Sequence, residues 1–127
     1  MFKPYLYFDG NATEAIELYK EAFGATVHLL LKNKDVNPDC GADGNLVNFA
    51  ELAVNGTVIM MADLPGATPG RNFYVDIMGE PDYLQKIWAV LCRDAEIDLE
   101  LGPDTFTELH GKLTDKYGIN WMFTANH

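Results

Sequence analysis

The stretch NGTVIMMA, residues 55–62, decides the fold, because YGINWMFT, residues 117–124, answers it near the other end of the chain. In each, a turn glycine, Gly56 or Gly118, opens an apolar strand, and Met60 and Met122 hold the same place. Asn55-Gly56 also lies between two strand-like runs, 46–54 and 57–62. Asn-Gly in that setting is the strongest short signal for a hairpin, because both residues tolerate positive φ. Within the first run, Val47, Phe49 and Glu51 fall on one face of a strand, and Leu46, Asn48, Ala50 and Leu52 on the other.

Working outward, residues 2–8 read as an aromatic-rich strand that Asp9-Gly10-Asn11 ends. A helix follows from about residue 12, with Asn11 as N-cap and Glu14 where a capping-box acid belongs. Its apolar stripe is Ala15, Ile16, Tyr19 and Phe23, and Gly24 stops it. Residues 26–31 form a strand and 32–45 a loop. After a second loop, 63–70, the order begins again. Residues 72–78 read as a strand, and 82–93 as a helix with its stripe at Leu84, Ile87, Trp88 and Leu91. Strands at 97–101, 105–113 (short or irregular) and 119–124 complete the chain, the last after a turn at 116–118. The pattern is βαβββ twice, a weak internal repeat. It predicts an α+β fold: one domain, 1–127, of two modules, about 1–66 and about 70–127. Each module contributes to a mostly antiparallel sheet, cupped, with its helices on the convex side.

A chain of 127 residues with 22% charged residues has room for one real core. No run approaches the roughly 18 to 20 consecutive apolar residues that span a bilayer, and no signal peptide is visible. Cys40 and Cys92 stand in unrelated contexts and read as free thiols of a cytoplasmic protein. A net charge of −10 argues against nucleic acid and anionic membrane surfaces as partners. Six acids lie between Asp94 and Glu108 without one Lys or Arg. The plain reading is a solvated edge; the sharper one is attraction of a cationic ligand.

Three separated motifs, KPYLYFDGNATEAIELYKEAFGA (3–25), FAELAVNGTVIMMADLPG (49–66) and DTFTELHGKLTDKYGINWMF (104–123), resemble the PhnB-like branch of the vicinal-oxygen-chelate superfamily. That superfamily includes glyoxalase I, extradiol dioxygenases, fosfomycin-resistance enzymes and bleomycin-binding proteins. The resemblance spans essentially the whole chain. It implies two βαβββ modules with a concave site between their sheets, and a divalent metal held by His and Glu from the first and last strand of each module. The matching positions here are Lys3 or Pro4, Met60, Asn72 or Phe73, and Met122. None is His, Asp or Glu, so the usual metal site is expected to be absent and no cofactor is expected. The branch's histidine in a His-Ala-x-Leu-like run is Phe49 here, and its late tryptophan is Thr107. PhnB-like chains have been labelled methyltransferases, but no doubly wound pattern or Gly-rich strand end supports that reading.

Strand parity selects the cleft. Leu6 and Phe8, then Phe73, Val75 and Ile77, then Ile119, Trp121 and Phe123 go under the helices. That leaves Tyr5, Tyr7, Asn72, Tyr74, Asp76, Asn120 and Met122, joined by Phe49 and Glu51 if Phe49 keeps the orientation that the resemblance implies for the branch's histidine, to line an aromatic cleft with a few polar groups. Such a lining suits a small organic ligand better than a metal. Tyrosines on a sheet also serve plain packing, and Glu51 can be solvated beside Lys3. Glu51 and His110 are the catalytic candidates. His28, His110 and His127 are widely separated, and no pair has metal-ligand spacing. The expected function is metal-free binding of a small organic molecule by a homodimer. The alternative is an enzyme of the superfamily (lyase, isomerase, transferase or dioxygenase type). It would use a relocated metal site or metal-independent acid–base chemistry.

Overall fold

The computed structural model describes residues 1–126; His127 lies outside the described residues. The chain divides into two compact units, 1–68 and from Pro69 onward. Each carries a four-stranded mixed sheet with a helix against one face, as the repeat predicts.

The first unit runs β1 (Tyr5–Phe8), α1 (Ala12–Phe23), β2 (Thr26–Lys32), α2 (Asn33–Val36), β3 (Val47–Val54) and β4 (Thr57–Asp63). The strand order is β1-β4-β3-β2, with β1 parallel to β4 and the other neighbours antiparallel. The β3–β4 hairpin turns at Asn55 and Gly56, whose φ angles of 44° and 81° are the left-handed pair that Asn-Gly supplies. The stripe of α1 is buried as its spacing requires: Ala15, Ile16, Tyr19 and Phe23 pack over Leu6, Phe8, Ala50, Leu52, Ile59 and Met61. Each such large side chain contributes about 1.5–3 kcal/mol by burial. Gly24 ends the helix in the left-handed region at φ 65°.

The second unit runs β5 (Val75–Gly79), α3 (Pro81–Leu91), β6 (Glu96–Gly102), β7 (His110–Thr114) and β8 (Asn120–Ala125), in sheet order β5-β8-β7-β6. Here β5 and β8 are the parallel pair. Leu84, Ile87 and Leu91 of α3 are buried, with Trp121, Phe123 and Leu113 of the sheet. Trp88 meets Phe123 edge-on, with ring centroids 5.0 Å apart.

Several expectations need correction. Asn11 flanks α1 but makes no side-chain cap. The cap comes from Asp63 at the end of β4, whose Oδ1 accepts from the Ala12 N–H at 2.9 Å and whose Oδ2 accepts from the Val47 N–H at 2.8 Å. The segment 32–45 holds α2 and a 3₁₀ turn, Gly41–Asn45, because the Asp35 carboxylate accepts the Lys32 N–H. The strand expected at 72–78 begins only at Val75. The Asn120 side-chain amide donates to the carbonyls of Gly70 (2.6 Å) and Phe73 (2.9 Å), drawing this segment out of the ladder. Phe73 is accordingly 68% exposed rather than packed under a helix. Residues 105–109 are not a strand: the Asp104 N–H closes a turn onto the Thr107 carbonyl, and β7 starts at His110.

Candidate functional site

Each sheet has one face under its helix and one open face, and the sequence-derived residues divide between the two units. On the first sheet Tyr5, Met60 and Glu51 are neighbours in one row, Met60 pairing with both of the others. Leu29 and Leu31 of β2 pair with Glu51 and Phe49. Tyr5 and Tyr7 are 39% and 49% exposed on this face, while Leu6 and Phe8 are buried on the other. The Tyr5 ring lies 4.9 Å from that of Tyr7 and 6.1 Å from that of Phe49, centroid to centroid. Burial, and then the neighbouring Tyr7, push the Tyr5 phenol above its ordinary range. Glu51 is half-buried beside this cluster and forms no hydrogen bond or ion pair with a described residue. Lys3 is exposed ahead of β1 and does not pair with it. Val47 does not join Phe49 and Glu51. It is buried while Asn48 is exposed, and alternation breaks where the β2–β3 register shifts between Leu31 and Lys32.

On the second sheet Met122 pairs with Asp76 on one side and Lys112 on the other. Thr124, one pleat further, pairs with Met78 and His110. Its hydroxyl lies 2.8 Å from Asp76 Oδ1 and 3.4 Å from His110 Nδ1. Parity places Thr124 on this face, but only the structure shows it joining Asp76 to His110. Asn72 is exposed ahead of β5. Asn120 is 6% exposed, and its amide is committed to Thr114 Oγ1 and to the Gly70 and Phe73 carbonyls, a structural role. Tyr74 donates its hydroxyl to Asp98 at 3.1 Å, and the Lys112 ammonium lies 5.8 Å from its ring centroid.

Two members of the acidic run are neutralised. Arg71 bonds Glu96 at 2.5 Å and Asp98 at 2.6 Å. Burial alone would raise the Asp98 pKa. Hydrogen bonds from Arg71, Thr114 and Tyr74 overcome it and hold the carboxyl below the usual carboxylate range. The 103–108 loop and Asn126 bound an open recess of about 530 Å³ beside the exposed Phe106. Thr107 at its base is buried and tied to the carbonyls of Leu109 and Ala125.

Two mixed four-stranded sheets of order 1-4-3-2, each with one helix-free face, define a protein of the vicinal-oxygen-chelate class. The chain is similar to the Pseudomonas aeruginosa protein PA1353, at 23% identity over 99% of this chain and 97% of that one, with a TM-score of 0.89. It is similar to the PhnB protein of Bacillus cereus, at 27% identity over 98% of both chains, with a TM-score of 0.78. It shares its fold with the fosfomycin resistance protein FosX of Listeria monocytogenes, solved with Mn(II), at 11% identity and a TM-score of 0.70 over 100% of this chain and 92% of that one. Residues 1–124 match the family described as 3-demethylubiquinone-9 3-methyltransferase, and the chain belongs to that family, the PhnB-like branch of the glyoxalase superfamily.

The divalent metal of that superfamily does not fit the residues present. Met60 stands between Tyr5 and Glu51, and Met122 between Asp76 and Lys112. Thioethers are poor ligands for hard divalent ions, and an ammonium repels them. Among the described residues no group of three or more His, Cys, Asp or Glu could hold a metal ion. No helix of the described residues is long and apolar enough to cross a membrane.

Proposed function

We propose that this PhnB-like protein binds a small organic molecule on the open faces of its sheets, without the metal its superfamily uses. The observation that carries the reading is the cluster of Tyr5, Tyr7 and Phe49 beside Glu51, which has no partner among the described residues. Flat aromatic walls with one free hydrogen-bond acceptor suit an organic ligand with a donor at one end. A thermal-shift screen of metabolites against metal-stripped protein tests it, because a ligand that binds only the folded state raises Tm by mass action.

Acid–base chemistry on such a ligand is the second reading, favoured by the Asp76–Thr124–His110 chain. We further infer a cytoplasmic homodimer, since exposed Tyr5, Tyr7 and Leu29 make an apolar surface that a second copy would cover. Sedimentation at micromolar concentration should give a dimer; monomer alone would count against it.

A further inference from the structure

The single proton of the Thr124 hydroxyl has two neighbours to choose between, Asp76 Oδ1 at 2.8 Å and His110 Nδ1 at 3.4 Å. An ionised carboxylate only accepts, so that proton goes to Asp76. The Thr124 oxygen is then left to accept from His110, which requires the proton on Nδ1. The neutral ring therefore carries its lone pair on Nε2. The long second bond is ordinary for acid–base contacts in ligand-free sites.

The ring is open on one side, and a cation stands further along the same face. The register partner of His110 on β6 is Gly102, where a Cβ would meet nothing within 4 Å. Lys112 follows two residues along the same face, roughly 7 Å away along the strand. Its ammonium lies 5.8 Å from the Tyr74 ring centroid and forms no ion pair with a described residue, so it is free to turn to an anion. Met122 and the exposed Met78 give the face a flat, polarizable floor.

We propose that this face binds a flat molecule bearing a weakly acidic aromatic hydroxyl and takes up its proton. The O–H bond breaks, the proton passes to His110 Nε2, and the electron pair stays on the oxygen as a phenolate, which the Lys112 ammonium stabilises. An aliphatic alcohol is far too weak an acid to give its proton to imidazole, whereas a phenol with electron-withdrawing groups is matched to it. The proposal deepens the small-molecule reading above and rests on it.

Two measurements test the proposal. Long-range ¹H–¹⁵N NMR of the ligand-free protein, at a pH where the ring is neutral, should show His110 protonated on Nδ1, with that preference lost in Thr124→Val. Titration with p-nitrophenol, below the pH at which it ionises alone, should develop the phenolate absorption band. His110→Gln and Lys112→Met should each weaken that binding about tenfold, the equivalent of one strong hydrogen bond. An Nε2-protonated ring in the wild type overturns the proposal, as does p-nitrophenol that fails to bind or binds without the phenolate band. The tautomer is read without any ligand, so its failure is separable from failure of the screen on the first sheet.

Discussion

The indole N–H of Trp121 donates to the carboxylate of Asp115 at 2.8 Å, and both residues are buried. The same carboxylate accepts the backbone N–H groups of Tyr117 and Ile119, so one side chain ties the last turn to the core of the second sheet. Trp121→Ala should cost roughly 3–5 kcal/mol, read by denaturant unfolding. Trp121→Phe keeps most of the volume but removes a donor from a buried carboxylate, and should cost about 1–3 kcal/mol. Normal stability in both variants would show that Trp121 is not a core residue.

Gly111 sits where β7 passes under α3. A Cβ there would lie 3.0 Å from the Leu101 Cα and 3.0 Å from Trp88 Cζ3. Neither backbone nor a packed ring yields easily, so Gly111→Ala should destabilise by about 1–3 kcal/mol. Gly102→Ala, with open space around it, should change stability far less in the same thermal melt.

Asp98 links stability to acid. Its folded-state pKa is held below the unfolded value, so its contribution is fully present above the unfolded pKa, near 4, and is lost as pH falls through the lower, folded one. The stability gap between wild type and Asp98→Asn should therefore be constant from neutral pH down to about 5 and close on further acidification. A gap independent of pH throughout would contradict the ion-pair assignment.

Asp63 supplies two backbone caps at once, to α1 and to the start of β3. Asp63→Ala should cost about 1–3 kcal/mol and raise amide exchange at Ala12 and Val47 before the rest of the sheet. Asn11→Ala, whose side chain caps nothing, should be nearly neutral.

These features divide by the range of the forces behind them. The Asn55-Gly56 hairpin, the stripes of both helices and the burial of Leu6, Phe8, Trp121 and Phe123 follow from local spacing, and the sequence displays them. The cap by Asp63, the late start of β5 and the Arg71–Asp98 pair join residues far apart in the chain, where periodicity carries no signal. Parity put Asp76 and Asn120 on the open face alike. It could not tell a carboxylate that reaches Thr124 there from an amide spent on two backbone carbonyls.

Glu51 is the acceptor on which the metal-free reading rests. The most direct test is thermal shift with the metabolite screen on metal-stripped protein, repeated with Glu51→Gln and Phe49→His. At a ligand concentration about a hundred times Kd, binding should stabilise the wild type by about 2.7 kcal/mol with no metal present. Glu51→Gln should fold as the wild type does but lose most of that shift, and Phe49→His should gain no zinc or manganese affinity. A shift that appears only after a divalent metal is restored, in the wild type or in Phe49→His, would contradict the account.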